Sequence, residues 1–180
     1  MFPKNYEDRI LSVLKEKSPF YIEEMGDDEL LDAHNIHSYA QTLEWKGTLQ
    51  YIINDEKVID SSSQIYGTII NTQTMEHARA YALSGCKRIM TIENKANYED
   101  MSYRKDTLYI FCHGFFSPKE VRFLKTICDL VSEECEFYHW GDLDYGGICI
   151  FQFIKAQVFP KLLPYKMSQE DFELAVKGDA

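Results

Sequence analysis

An α/β fold, with a mostly parallel sheet flanked by helices, follows from three observations. The runs KRIMTIE (87–93), DTLYIFC (106–112) and CEFYHWGD (135–142) have the length and the β-branched and aromatic content of buried strands. Helical signals follow two of them, in SPKEVRFLKTICDLVSE (117–133) and YGGICIFQFIKAQVF (145–159). Strands alternating with helices require crossover connections, and crossovers make neighbouring strands parallel. With 180 residues, 45% of them hydrophobic, the chain can bury one main core and is not compositionally disordered.

Along the chain, Ile10, Leu11, Val13 and Leu14 share one face of an amphipathic helix over residues 6–17. A second helix is expected from Asp27 to about Gln41, with Asp27 and Asp28 suited to its positive N-terminal end. From Thr42, the segments TLEWKGTLQYII and VIDSSSQIYGTII read as β-rich chain broken by a turn at NDEK. TQTMEHARAYALSG predicts a helix with Thr74 as its cap and Gly85 as its stop. After the strand DTLYIFC, Ser117 as N-cap, Pro118 at the first helical position and Glu120 complete a capping box. The apolar helix after Gly146 and Gly147 ends near Pro160, and PYKM starts a further strand. The organisation expected is a small helical and β-rich appendage over residues 1–64 and an α/β domain over 65–180. The closing VKGDA carries no clear stop, as expected of a chain cut from something longer.

Composition narrows the function classes. The formal charge of −10 repels nucleic acid and anionic membranes unless metal ions, a local basic patch or a partner offset it. No window approaches the roughly 18 apolar residues of a membrane span, and the charged N-terminus has no apolar leader region. The five cysteines form no CxxC pair, and four of them lie in apolar surroundings, so no disulfide and a cytoplasmic setting are expected.

The chemistry concentrates at strand ends. In open α/β sheets ligands bind beyond the carboxyl ends of the strands. Glu93 ends KRIMTIE, and Asp142 and Asp144 end CEFYHWGD. Residues i and i+2 of an extended segment face the same side, so Asp142 and Asp144 can point at a common spot. Gly146 and Gly147 permit a tight turn into the next helix, with room for an anion at its N-terminus. Three converging carboxylates repel one another unless a cation joins them, and a hard cation such as Mg²⁺ or Mn²⁺ takes oxygen ligands. Taken singly, a D-x-D is as often a turn or a helix cap, and Glu93 more often an ordinary strand-end carboxylate; their joint placement favours a site. His113, at the end of DTLYIFC, is a candidate for phosphate contact or proton transfer, with a backbone-satisfied loop histidine equally compatible. Lys95 is divided between a phosphate contact and a solvated surface role, whereas His139 beside Trp140 reads as a packing residue.

TIEN at one strand end, FCHGF at the next and GDLDYGG before an apolar helix together resemble the Toprim domain, the metal-binding catalytic fold of topoisomerases, primases and several nucleases. More closely, TIENKAN followed by WGDLDYGGICIF is similar to the C-terminal Toprim-like domain of the Wadjet JetD nucleases, relatives of the A subunit of type IIB DNA topoisomerases. The resemblance covers roughly residues 65–175 and lies in the joint spacing. It implies that Glu93 is the family's glutamate, Gly114 its loop glycine, and Asp142 and Asp144 its D-x-D. It further implies Mg²⁺ as cofactor, DNA as substrate, an SMC-like complex as partner with room for a homodimer, and cleavage of plasmid DNA as the role. Residues 1–64 do not show the family's DNA-contacting region, and none of the 12 tyrosines stands in a helix-turn-helix context. Hydrolysis by metal-activated water is therefore favoured over a covalent tyrosyl intermediate. Two rivals remain: a non-catalytic assembly module with the Toprim shape, and a glycosyltransferase using D-x-D on a nucleotide-sugar, which leaves Glu93 and the glycine turn unused.

Overall fold

A computed structural model of the chain describes residues 6–23, 25–34, 42–168 and 171. The chain forms two compact units, residues 1–39 and 40–180. In the first, helix α1 (Tyr6–Lys17) and helix α2 (Asp27–Ala33) share a small core of Leu11, Leu30 and Leu31. Lys15 pairs with Asp27 at 2.5 Å. Residues 35–41 of the expected second helix lie outside the described residues, as does the VKGDA terminus.

The second unit is mixed α/β. Its main sheet has the order β4-β1-β7-β6-β8-β9, and a smaller sheet the order β3-β2-β5. Strands β6 (Arg88–Ile92), β7 (Thr107–Phe111), β8 (Glu136–Trp140) and β9 (Leu163–Pro164) run parallel, with β6 central. Strands β1 (Thr42–Lys46) and β4 (Thr68–Asn71) add an antiparallel edge beside β7. Strands β2 (Gln50–Ile53) and β3 (Lys57–Asp60) form a hairpin whose turn residues Asn54 and Asp55 take φ of 52° and 57°. Asn and Asp tolerate that left-handed conformation, as the NDEK turn requires. The strands that open the β-rich stretch thus lie in the same compact unit as the parallel sheet.

Side-chain alternation divides the main sheet into two buried faces. Leu43, Trp45, Ile89, Leu108, Ile110 and Phe137 point to one side, where helix α5 (Pro118–Cys128) contributes Phe123, Leu124 and Ile127 and helix α6 (Tyr145–Gln157) contributes Ile150 and Ile154. Met90, Ile92 and Tyr109 point to the other and meet Tyr98 of the short helix α4 (Lys95–Asp100). The result is a helix–sheet–helix sandwich. Lys46, only 7% exposed, fastens α4 to the sheet by donating to the carbonyls of Tyr98, Glu99 and Met101, where a cation complements a helix C-terminus. Ser117 and Glu120 make both bonds of the predicted capping box at α5.

One expectation is corrected. The stretch TQTMEHARAYALSG is not one helix: a single turn α3 (Thr72–Glu76), capped by Asn71 rather than Thr74, gives way to strand β5 (Ala78–Ala82). Ala78, Ala80 and Ala82 favour a helix locally, but they alternate with Arg79 and Tyr81, and pairing with β2 selects the period of two. Helix α4 went unanticipated, its signal being the cap Asn94, which accepts from Asn97 N.

All five cysteines are free thiols, and Cys86, Cys112 and Cys135 are buried. Burial pushes the Cys112 and Cys135 thiols up to about 12, which keeps them protonated and unreactive. Thiol titration of the denatured, unoxidised protein is expected to count five; a lower count would reveal a disulfide. Among the described residues no helix is long and apolar enough to cross a membrane.

Candidate functional site at the carboxyl edge of the parallel sheet

Strands β6 and β8 run side by side in register, Ile92 opposite Trp140, so the residues that follow them emerge together. Glu93 N donates to Trp140 O at 2.9 Å, carrying the pairing one residue past the strands. Asp142 N then donates to Glu93 Oε2 at 3.2 Å. Asp144 caps α6, its Oδ1 accepting from Gly147 N at 2.8 Å. The three acids read from the sequence therefore stand at the same sheet edge, with Asp142 and Asp144 exposed and Glu93 half-buried.

The packing beneath is tight. A Cβ on Gly147 would lie 2.1 Å from Asp142 O, so the carbonyl of Asp142 rests directly on the first turn of α6. A Cβ on Gly141 would lie 2.5 Å from His139 Nε2 and 3.0 Å from Glu93 Oε2. His139 is fully buried, its Nδ1 in a 2.8 Å hydrogen bond with Thr91 Oγ1 and its Nε2 without a partner among the described residues. Burial pushes its imidazole down to about 4, so it is neutral at physiological pH. Gly141 is a candidate site residue that sequence reasoning missed; its signal was its place between the strand and the D-x-D.

Electrostatically the edge is acidic. Burial raises the Glu93 carboxyl above the ordinary carboxylate range, and the charges of Asp142 and Asp144 add to the rise against the hydrogen bond from Asp142 N. Among the described residues no three His, Cys, Asp or Glu side chains stand gathered as a finished ligand set. The donors nonetheless suit a hard divalent cation, which needs one or two carboxylates and completes its shell with water and phosphate oxygens. Glu93 Oε1 and Asp144 Oδ2 take no part in the hydrogen bonds above, and the exposed Asp142 carboxylate lies between them in sequence.

The remaining candidates divide. His113 leaves β7 at the same edge, and Gly114 follows with φ +126° and open space where a Cβ would stand. Gly146 lies in the first turn of α6, exposed beside Asp144 Oδ1. Lys95 is held elsewhere: its ammonium pairs with Glu44 on β1 and lies 4.5 Å from the Phe111 ring centroid, over β7 rather than toward the D-x-D turn. His113 is bonded to a side chain, not held by the backbone alone. His113 Nε2 and Glu120 Oε1 are 2.8 Å apart, and Glu120 is fully buried.

That pair carries a pH dependence. The hydrogen bond to Glu120, helped by its charge, raises the His113 imidazole above its ordinary value near 6.5 against the cost of burial. Burial alone would raise the Glu120 carboxyl, but the bonds from His113 and Ser117 outweigh it and leave it below its ordinary 4.5. The histidine's contribution to stability is full below 6.5 and lost as pH rises through its folded value. The glutamate's is full above 4.5 and lost as pH falls through its own. The stability lost in His113→Ala is thus expected to be greatest between pH 4.5 and 6.5 and to shrink on both sides, as urea unfolding across pH would measure. A loss that does not change with pH would show that the pair is not ionised.

An open, mostly parallel sheet between helices, with acids and glycine turns at the carboxyl ends of its central strands, defines a Rossmann-like α/β domain with carboxylates at the edge where sheets of this class bind ligands. The family model described as Wadjet protein JetD, C-terminal, matches residues 54–179. Wadjet protein JetD of Bacillus cereus (strain Q1) is 30% identical over 179 residues, covering 98% of this chain and 43% of that protein. The chain belongs to the JetD C-terminal family, and spans less than half the length of the JetD it matches.

Proposed function

We propose that this chain is the metal-dependent DNA-cleaving domain of a Wadjet JetD-type protein, hydrolysing phosphodiester bonds of plasmid DNA with water as nucleophile. One observation carries the reading: Glu93 and the Asp142 backbone are tied together at the ends of two adjacent parallel strands, with Asp144 capping the helix that follows. Asp142 and Asp144 would hold Mg²⁺ or Mn²⁺, with Glu93 completing the set or taking the proton of the attacking water at Oε1. Such a cation, when bound, offsets the charge of the phosphate and makes water a better nucleophile. It also answers the charge objection, since it reverses the local field of an acidic edge in a chain of net −10. The backbone at Gly114 and the first turn of α6 at Gly146 offer close approach to phosphate oxygens. Lys95, committed to Glu44, is assigned to holding α4 in place. As part of a JetD-type protein, the domain would act on DNA alongside other Wadjet subunits.

The test is cleavage of supercoiled plasmid by the full-length protein with its Wadjet partners, with Mg²⁺, with Mn²⁺ and with EDTA, for wild type and Asp142→Ala. Nicked or linear product from the wild type alone, and only with metal, is expected. Absence of cleavage under every condition would favour the non-catalytic assembly module.

A further inference from the structure

His113 and Glu120 form a dyad at the sheet edge to which hydrolysis as proposed assigns no chemistry. Glu120 is fully buried, and both of its oxygens are engaged: Oε1 with His113 Nε2 at 2.8 Å, and Oε2 by Ser117 N at 2.7 Å. A buried carboxylate anchored by its own helix cap is a rigid support, and it fixes which imidazole nitrogen is spent. The other nitrogen, Nδ1, belongs to a side chain that keeps 30% of its surface accessible. The Phe116 ring meets the imidazole edge to face at 6.2 Å, limiting its rotation.

The dyad lies beside the carboxylates. Cys112 N donates to Ile92 O at 2.8 Å, so His113 leaves its strand one residue beyond the level of Glu93 on the adjacent strand. Cys112, the residue before His113, is fully buried and within electrostatic reach of both Glu93 and Glu120. Phe115 packs on Phe153 of α6 at 5.3 Å, drawing the loop that bears His113 toward the helix capped by Asp144.

We propose that His113 is the catalytic acid that protonates the leaving oxygen of the cleaved phosphodiester, with Glu120 as its positioning residue. This rests on the hydrolytic reading above. The water oxygen bonds to phosphorus as the phosphorus–ester oxygen bond breaks. The electron pair of that bond stays on the departing oxygen, which takes the proton from His113 Nδ1. The proton of the water passes to Glu93 or to solvent, and His113 recovers its own from solvent, so that one water and one diester yield one monoester and one alcohol. Among the charged groups, the Glu120 carboxylate on α5 favours a protonated ring, consistent with its raised affinity for protons.

The test uses the full-length protein in its complex and duplex DNA whose cut position has been mapped with wild type. At that position the departing oxygen is kept or replaced by sulfur, as the 3′-bridging or 5′-bridging phosphorothiolate, because a thiolate departs without needing a proton. On all-oxygen DNA, His113→Ala should lose roughly 10²–10⁴-fold in rate. On the sulfur substrate that loss should shrink to within about tenfold, a rescue that a structural or binding role would not produce. Glu120→Gln should show the same pattern with a smaller loss, thermal unfolding verifying that it folds. An equal loss on both substrates, or a wild-type rate for His113→Ala on oxygen DNA, overturns the proposal. No cleavage of either substrate by wild type, with any metal, overturns the hydrolytic reading and this proposal with it.

Discussion

Replacing Asp142 by alanine is expected to lower metal-dependent plasmid cleavage by roughly 100-fold or more, since even residues behind a metal ligand cost 10–100-fold. The fold should hardly notice. The Asp142 side chain is exposed, and the bond to Glu93 is made by its backbone N–H, which alanine keeps. Exposed substitutions of this kind stay within about 0.5 kcal/mol, or one to two degrees in midpoint for a domain of this size. Asp144→Ala is a less clean experiment, because Asp144 is also the N-cap of α6 and its loss costs about 1 kcal/mol of helix stability. Activity lost with an unchanged melting curve for Asp142→Ala would confirm that the carboxylate acts chemically. Full activity in that variant would remove Asp142 from the site.

Gly147→Ala is expected to have the largest effect on the structure of the site. Its Cβ would fall 2.1 Å from Asp142 O and 2.9 Å from Asp142 C and N, all backbone atoms with no rotamer to yield. Either α6 moves away from the strand end or the D-x-D turn is rebuilt, and forcing atoms into a packed interior costs about 1–3 kcal/mol. Gly146→Ala is the control. Its Cβ would stand 3.2 Å from Asp144 Oδ1, a contact that a shift of a few tenths of an ångström relieves with the cap kept, and alanine gains up to about 1 kcal/mol in helix propensity. Denaturant unfolding should therefore show Gly147→Ala clearly destabilised and Gly146→Ala near wild type. Similar midpoints for the two would show that the helix start is not packed on Asp142.

The strand ends of the site were legible because each strand is a short apolar run closed by a polar residue, and the parallel arrangement carries such ends to one edge. Glu93, Asp142 and Asp144 could be placed there from KRIMTIE and CEFYHWGDLD alone, and the SPKE cap from four residues. The β5 strand was not legible, because five alanine-rich residues carry more helical than extended preference until β2 pairs with them.

What the sequence determined by itself was thus the local chemistry: which runs are strands, where α5 and α6 begin, and which acids stand at strand ends. These follow from side-chain periodicity and caps, interactions between residues a few positions apart. Tertiary structure alone decided the strand order, with β1 set between β4 and β7 and β6 at the centre, because many orders bury the same apolar faces. It decided that Lys95 pairs with Glu44, 51 residues away. It set Glu120, read only as a cap, behind His113, and left His139 buried beneath Gly141 with one nitrogen unpartnered among the described residues. Each of these depends on which surfaces meet when the layers close, and packing between distant segments leaves no periodic mark in the sequence.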